Sequence, residues 1–220
     1  MGRVHASAQD TRARFVSASG ALLTALLLAL TACTAVSEAP APARVGLAKV
    51  VPVLPRDAAG GPRVLAVVAH PDDEIAFAGT FYKTATALDG RVDVVTITNG
   101  EGGYKYSTLA EPLYGLALTD EAIGRAELPA IRETELVEGL GYMGVRRVYM
   151  LGQQDHAYTL DEGEILDGAI WDLEGVTDTL EQILRDGDYD VLLTHYPRAG
   201  THGHHKSATL LALRAWQRLP

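Results

Sequence analysis

The apolar run Val64-Leu65-Ala66-Val67-Val68-Ala69 ends in His70-Pro71-Asp72-Asp73-Glu74, so a stretch without polar alternation meets one imidazole and three carboxylates at once. A short, valine-rich run of this kind predicts a strand buried on both faces, as in the parallel sheet of an α/β protein. Pro71 biases the residue before it toward extended geometry, which makes His70 the last strand residue and turns the chain immediately. The polar cluster is therefore expected at a strand's carboxyl end, the edge of an open α/β sheet where ligands bind.

Spacing inside the cluster separates roles. A helix beginning at Asp72 or Asp73 brings the Asp73 carboxylate back beside His70, where the two can share one cation. Asp72, one position off, points elsewhere. A carboxylate next to a metal but not bound to it is placed for general-base work. Taken alone, the three acids need do no more than favour a helix N-terminus.

A second histidine group changes that balance. The segment His195-Tyr196-Pro197-Arg198-Ala199-Gly200-Thr201-His202-Gly203-His204-His205 holds four of the chain's 7 histidines. It follows the predicted strand Asp190 to Thr194, on the same sheet edge as His70, and so can reach the same point. A catalytic zinc takes three protein ligands and keeps one position open, which asks for at least one of His202 and His205. His195 and His204 are assigned to the surface or to supporting contacts.

The rest of the folded region alternates strand and helix. Helical spacing runs from Ile75 to Leu88, a strand from Arg91 to Thr98, and a glycine-rich loop from Asn99 to Tyr104 that can line the site. Thr119-Asp120 caps a helix that Pro129 restarts and that ends near Leu140, with Gly141 as its C-cap. Arg146 to Leu151 is a strand, Gly152 to Leu160 a loop, Trp171 to Arg185 a helix, and His204 to Gln217 the last helix. This order predicts a Rossmann-like three-layer α/β fold: a mostly parallel sheet, right-handed crossovers, helices on both faces, and a metal site at the strands' C-terminal edge.

The N-terminal region reads differently. Arg3, Arg12 and Arg14 precede Ala21-Leu22-Leu23-Thr24-Ala25-Leu26-Leu27-Leu28-Ala29-Leu30, an apolar core too short to span a membrane, so residues 1–32 are expected to be a signal peptide. Leu30-Thr31-Ala32-Cys33 resembles the lipobox of bacterial lipoproteins, with Cys33, the sole cysteine, as the acylated residue. An exported lipoprotein held at the bacterial surface or periplasmic face is the expected state. One cysteine also rules out a disulfide framework and a thiolate zinc site. Residues 33–62, rich in proline and alanine, are expected to be a tether, leaving 63–220 as the domain. The formal charge of −9 argues against nucleic acid as the partner.

Ala69-His70-Pro71-Asp72-Asp73-Glu74 together with His202-x-x-His205 resembles the PIG-L/LmbE-like, zinc-dependent N-acetylglucosaminyl de-N-acetylases. The resemblance implies His70, Asp73 and His205 as zinc ligands, Asp72 as general base, and His202 as the group that steadies the oxyanion or the leaving amine. Iron(II) or cobalt(II) would also suit this donor set. Arg132-x-x-Glu135 and Leu151-Gly152-x-x-Asp155 match weaker stretches of the family, implying substrate contacts from Arg132 and Asp155; a helical ion pair explains Arg132 equally well. The family more often has Pro-Asp where this chain has Gly203-His204. Relatives commonly add strands after the last helix, which implies a fragment or a shortened member. The implied reaction hydrolyses an N-acetyl group from an N-acetylglucosamine-type sugar, giving acetate and a free amine. A metal-dependent phosphoesterase, with Arg132, Lys105 or Arg198 as its basic group, and a non-enzymatic zinc-capturing lipoprotein are the alternatives.

Overall fold

Strand β3 (Arg63–Val68) buries every residue after its first, and its side chains alternate between two cores. Leu65, Val67 and the following Ala69 face one of them, Val64, Ala66 and Val68 the other. A period of two in a strand apolar on both faces leaves no solvent side, so helices must cover both. The computed structural model that shows this describes residues 44–55 and 60–220. The leader and Cys33 lie outside the described residues.

The other strands are β1 (Arg44–Val45), β2 (Ala48–Pro52), β4 (Arg91–Thr98), β5 (Arg147–Gln153) and β6 (Val191–Thr194). They form one six-stranded sheet in the order β1-β2-β5-β4-β3-β6. The pairs β3–β4, β3–β6 and β4–β5 are parallel, and β2 joins β5 antiparallel. The helices are α1 (Ala78–Ala87), α2 (Glu111–Tyr114), α3 (Glu121–Tyr142), α4 (Gly163–Leu166), α5 (Leu173–Gly187) and α6 (Gly203–Gln217). Phe81 of α1 and Leu136 and Leu140 of α3 close one core. Leu180, Ile183 and Leu184 of α5 with Leu211 and Ala212 of α6 close the other. Among the described residues no helix is long and apolar enough to cross a membrane.

Several boundaries differ from the sequence expectation. The stretch read as a tether is partly sheet: residues 44–52 form β1 and β2, and Ala48 is fully buried in a core. Alanine and proline are frequent there, but most of the prolines flank the strands, while Val50-Val51 supplies the β-branched pair that a strand favours. The domain thus includes Arg44 onward rather than beginning at 63. The expected glycine-rich loop is wound as a 3₁₀ segment over Glu101–Leu109. After Pro71 the chain turns first through a 3₁₀ segment, Asp73–Phe77, and only then into α1. Helix α3 runs through Pro129 without a break, its start capped by Asp120, whose Oδ1 accepts the Ile123 N–H at 3.1 Å.

Candidate metal centre

Strand β3 delivers His70 to the sheet edge, and the 3₁₀ turn after Pro71 folds Asp73 back over the strand end. There Asp73 Oδ2 accepts the backbone N–H groups of His70 at 2.8 Å and Ala69 at 3.1 Å. The neighbouring strand locks the same point, since Thr98 Oγ1 donates to the Ala69 carbonyl at 2.9 Å. Helix α6 begins opposite, with His202 at its N-cap and His205 in its first turn.

His70, Asp73 and His205 meet here. His70 Nδ1 lies 3.3 Å from Asp73 Oδ2 and 3.3 Å from His205 Nε2, and His205 Nε2 is 3.0 Å from Asp73 Oδ1. Zinc–ligand bonds of 2.0–2.1 Å give a coordination tetrahedron with edges of about 3.3 Å, so these donors are spaced as ligands of one ion. Three donor groups in the cluster have atoms all within 4.8 Å of one another: His70/His202/His205, His70/Asp155/His204 and Asp73/His195/His205. Nitrogen and oxygen donors without thiolate suit zinc and other borderline divalent ions.

The charges are tightly balanced. Burial pushes the Asp73 carboxyl up, but hydrogen bonds from His205 and His70 outweigh it and hold the group well below the usual carboxylate range. Burial pulls His70 down, while Asp155 and Asp73 more than offset this and raise it to about 9. His202 is lowered to about 4, by burial first and then by the neighbouring His204, His70 and His205.

Asp72 occupies a left-handed backbone conformation, φ 116° and ψ −22°, a strain of about 1–3 kcal/mol for a residue with a side chain. Two contacts hold it: its N–H donates to Glu74 Oε2 at 2.8 Å, and its carboxylate takes Arg132 Nη2 at 2.8 Å. Arg132 also grips the Pro71 carbonyl. Burial raises the Asp72 pKa against the pull of Arg132. The alternative of a helical Arg132–Glu135 pair is not what forms, because Glu135 accepts from the Tyr114 hydroxyl at 2.8 Å instead.

Asp155, expected to touch substrate, is buried. Its Oδ1 lies 3.4 Å from His70 Nε2 and 3.3 Å from His204 Nδ1, and its Oδ2 accepts the Gly102 N–H at 3.0 Å. His204 is fully buried, 2.9 Å through Nδ1 from His70 Nε2; of its two expected places the surface is excluded. His195 stacks on His205, ring centroids 4.8 Å apart.

A cavity of about 270 Å³ opens over the cluster, lined by His70, Asp72, Asp73, Arg132, Asp155, His202 and His205. His202 stacks on Tyr158 at 4.6 Å and keeps a buried Nε2 without a hydrogen-bond partner. Three further lining residues, Tyr106, His156 and Tyr158, escape a reading from sequence. Only their places in segments that follow strand ends hint at them.

An α/β sheet that gathers imidazoles and carboxylates at its C-terminal edge defines the class: a Rossmann-like protein with a His/Asp site fit for a metal. The chain belongs to the PIG-L family, whose profile, described as GlcNAc-PI de-N-acetylase, matches residues 65–216. A probable N-acetyl-alpha-D-glucosaminyl L-malate deacetylase 2 of Bacillus cereus is 27% identical over 157 residues, covering 71% of this chain and 62% of the relative. A 1D-myo-inositol 2-acetamido-2-deoxy-alpha-D-glucopyranoside deacetylase 1 of Catenulispora acidiphila is 31% identical over 172 residues, 74% of this chain and 51% of the relative. Among solved structures, the N,N'-diacetylchitobiose deacetylase of Pyrococcus horikoshii, complexed with its inhibitor MPG, superposes with TM-score 0.52 at 26% identity, covering 70% of this chain and 49% of that one. The 4-carboxy-2-hydroxymuconate hydratase GalB of Pseudomonas putida, at TM-score 0.55 and 17% identity over 70% of this chain and 55% of that one, shares the fold. The chain therefore spans about half to three-fifths of the length of these relatives.

Proposed function

We propose that this chain hydrolyses the N-acetyl group of an N-acetylglucosamine-type sugar or glycoconjugate with one zinc ion held by His70, Asp73 and His205. The observation that carries the reading is the convergence of His70 Nδ1, His205 Nε2 and the two oxygens of Asp73, Oδ2 toward His70 and Oδ1 toward His205, at 3.0–3.3 Å in the cavity lining. When bound, zinc would polarise the amide carbonyl and make water a better nucleophile at neutral pH. The names of three of these proteins, deacetylases of an N-acetyl-glucosaminyl malate, an inositol acetamido-glucopyranoside and N,N'-diacetylchitobiose, support the substrate class.

The chain's own residues supply the rest. Asp72, pinned by Glu74 and Arg132, takes the proton of the attacking water as its oxygen bonds to the acetyl carbon. The same proton passes to the nitrogen when the C–N bond breaks, so acetate and a free amine leave. The raised pKa of Asp72 suits a base that must also give its proton back. His202 lines the cavity, is neutral at pH 7 and has an Nε2 without a partner, so its ring is available to hydrogen-bond the carbonyl oxygen or the departing amine. Tyr106 and Tyr158, 82% and 71% exposed, offer apolar faces at the rim on which a sugar ring can lie. Arg132 is engaged by Asp72 and Pro71, which leaves Lys105 and Arg198 as the other basic groups named for the phosphoesterase alternative.

Acetate release from a panel of N-acetylated sugars, with metal content measured on the same sample, tests the proposal. Full turnover by metal-free protein, or no acetate from any amide in the panel, overturns it. We further propose, from Leu30-Thr31-Ala32-Cys33, that Cys33 carries the lipid anchor of an exported protein. Palmitate labelling that survives Cys33→Ala would refute that.

A further inference from the structure

His70 has donor or acceptor atoms against both ring nitrogens. Nδ1 faces Asp73 and His205, while Nε2 faces inward to His204 Nδ1 at 2.9 Å and Asp155 Oδ1 at 3.4 Å. A neutral imidazole carries one proton, so a lone pair lent to a cation at Nδ1 places that proton on Nε2. Among the described residues, His204 and Asp155 are the acceptors within reach of it.

From these contacts we infer that His204 and Asp155 are positioning residues, a two-acceptor clamp that keeps the His70 proton on Nε2 and its Nδ1 lone pair aimed at Asp73 and His205. The inference rests on the proposed role of His70 as a metal ligand. Both members are built to stay still. His204 has no exposed surface, packs its ring 5.3 Å from Trp171, and sits in the first turn of α6 directly before His205. One helical turn thus brings the metal-facing imidazole and the acceptor behind it together. Asp155 is tied from the opposite side by the Gly102 N–H. A Cβ at Gly102 would stand 2.8 Å from Asp155 Cγ, so this approach requires glycine. An acceptor at His204 Nδ1 leaves its own proton on Nε2, the atom that has no hydrogen-bond partner in the structure. Keeping a buried N–H unpaired has a cost.

The test uses the full chain and reads zinc affinity by competition with a chromophoric chelator. His204→Phe keeps the ring packing and deletes the acceptor; zinc affinity should fall by about 10- to 100-fold, the usual loss when a ligand histidine's outer partner goes. The thermal midpoint of the metal-free chain should change little. In His204→Asn the amide oxygen can stand where Nδ1 stood, and affinity should return to within a few-fold of wild type. Nitrogen-15 shifts of His70 in the zinc-loaded wild type should show the proton on Nε2. Wild-type affinity in His204→Phe, an asparagine variant as weak as the phenylalanine one, or a protonated His70 Nδ1 each overturns the clamp. If the phenylalanine variant does not fold, the wild-type shifts decide. His205→Ala is the control for the underlying reading: zinc binding unchanged in that variant refutes the metal assignment itself, whereas loss of zinc there with no effect at His204 refutes only the clamp.

Discussion

The two ends of the sheet treat buried charge in opposite ways. At the strands' amino ends, Asp93 is fully buried yet matched: Arg146 Nε donates to its Oδ1 at 2.9 Å and the Tyr189 hydroxyl to its Oδ2 at 2.6 Å. Arg63 there is bound by Asp188 and Asp190, and Arg91 Nε is the loose atom. At the carboxyl ends, His70, His195, His202, His204 and His205 crowd around Asp73 and Asp155, and the buried Nε2 atoms of His202 and His204 have no partner. Buried polar groups are normally satisfied. An end that pairs its buried charges, Arg91 Nε apart, serves stability, whereas an end that leaves imidazole nitrogens open stores the capacity to bind, and local rules are expected to break at such sites.

If that contrast is right, damage at the two ends separates cleanly. The largest effect should come from His205→Ala or Asp73→Ala, each of which removes one of the three converging donor residues. Metal by mass spectrometry and acetate release should both drop to background, because groups acting as a unit fail together. Asp72→Asn should keep the metal and most substrate affinity but lose about 10²- to 10⁴-fold in kcat, the usual contribution of a positioned base. Loss of metal in Asp72→Asn with retention in Asp73→Asn would show that the two aspartates have exchanged roles. At the other end, Asp93→Ala strands Arg146 and Tyr189 and should cost about 3–5 kcal/mol of stability in urea unfolding. Its kcat per folded molecule should equal the wild type's. A large loss of kcat in that variant would break the division between the ends.

The carboxyl end was the more legible of the two in the sequence. Val64 to Ala69 announces a doubly buried strand, which ends at Val68 and not at His70 as the position of Pro71 predicts, and the three-residue step from His70 to Asp73 survives even though the turn is 3₁₀ rather than α, because either winding returns i+3 beside i. His202 and His205 were visible as a pair at helical spacing. Contacts set by tertiary approach were not. Asp155 reaches His70 across 85 positions of chain, and nothing local distinguishes its carboxylate from one that would face solvent. His204, one place off the expected ligand, turned out to point into the fold. At the N-terminal side, the proline-rich composition hid β1 and β2, since Ala48-Lys49-Val50-Val51 carries too few residues to outweigh its flanks.

The smallest effect should separate the two ends by the sign of their response to pH, measured on metal-free protein as unfolding free energy. His70 is raised from an ordinary value near 6.5 to about 9 by the carboxylates of Asp155 and Asp73, which outweigh its burial. The folded state then binds the proton more tightly than the unfolded chain does, so this contribution is full below about pH 6.5 and is lost as pH rises through 9. Asp190 is lowered from 3.8 to about 2 by the Arg63 guanidinium and backbone N–H. Its contribution is full above about pH 4 and is lost as pH falls through 2. The Arg63–Asp190 pair is solvent-exposed, which keeps its contribution small, so the comparison requires the difference between wild type and Asp190→Asn rather than the raw profile. That difference should shrink between about pH 4 and 2 and stay flat from 6 to 9. The difference between wild type and His70→Gln should shrink between about pH 6.5 and 9, and saturating zinc should change it, because binding needs the bare nitrogen. Two variants losing their difference from wild type in the same pH window would contradict the assignment of opposite electrostatic roles to the ends.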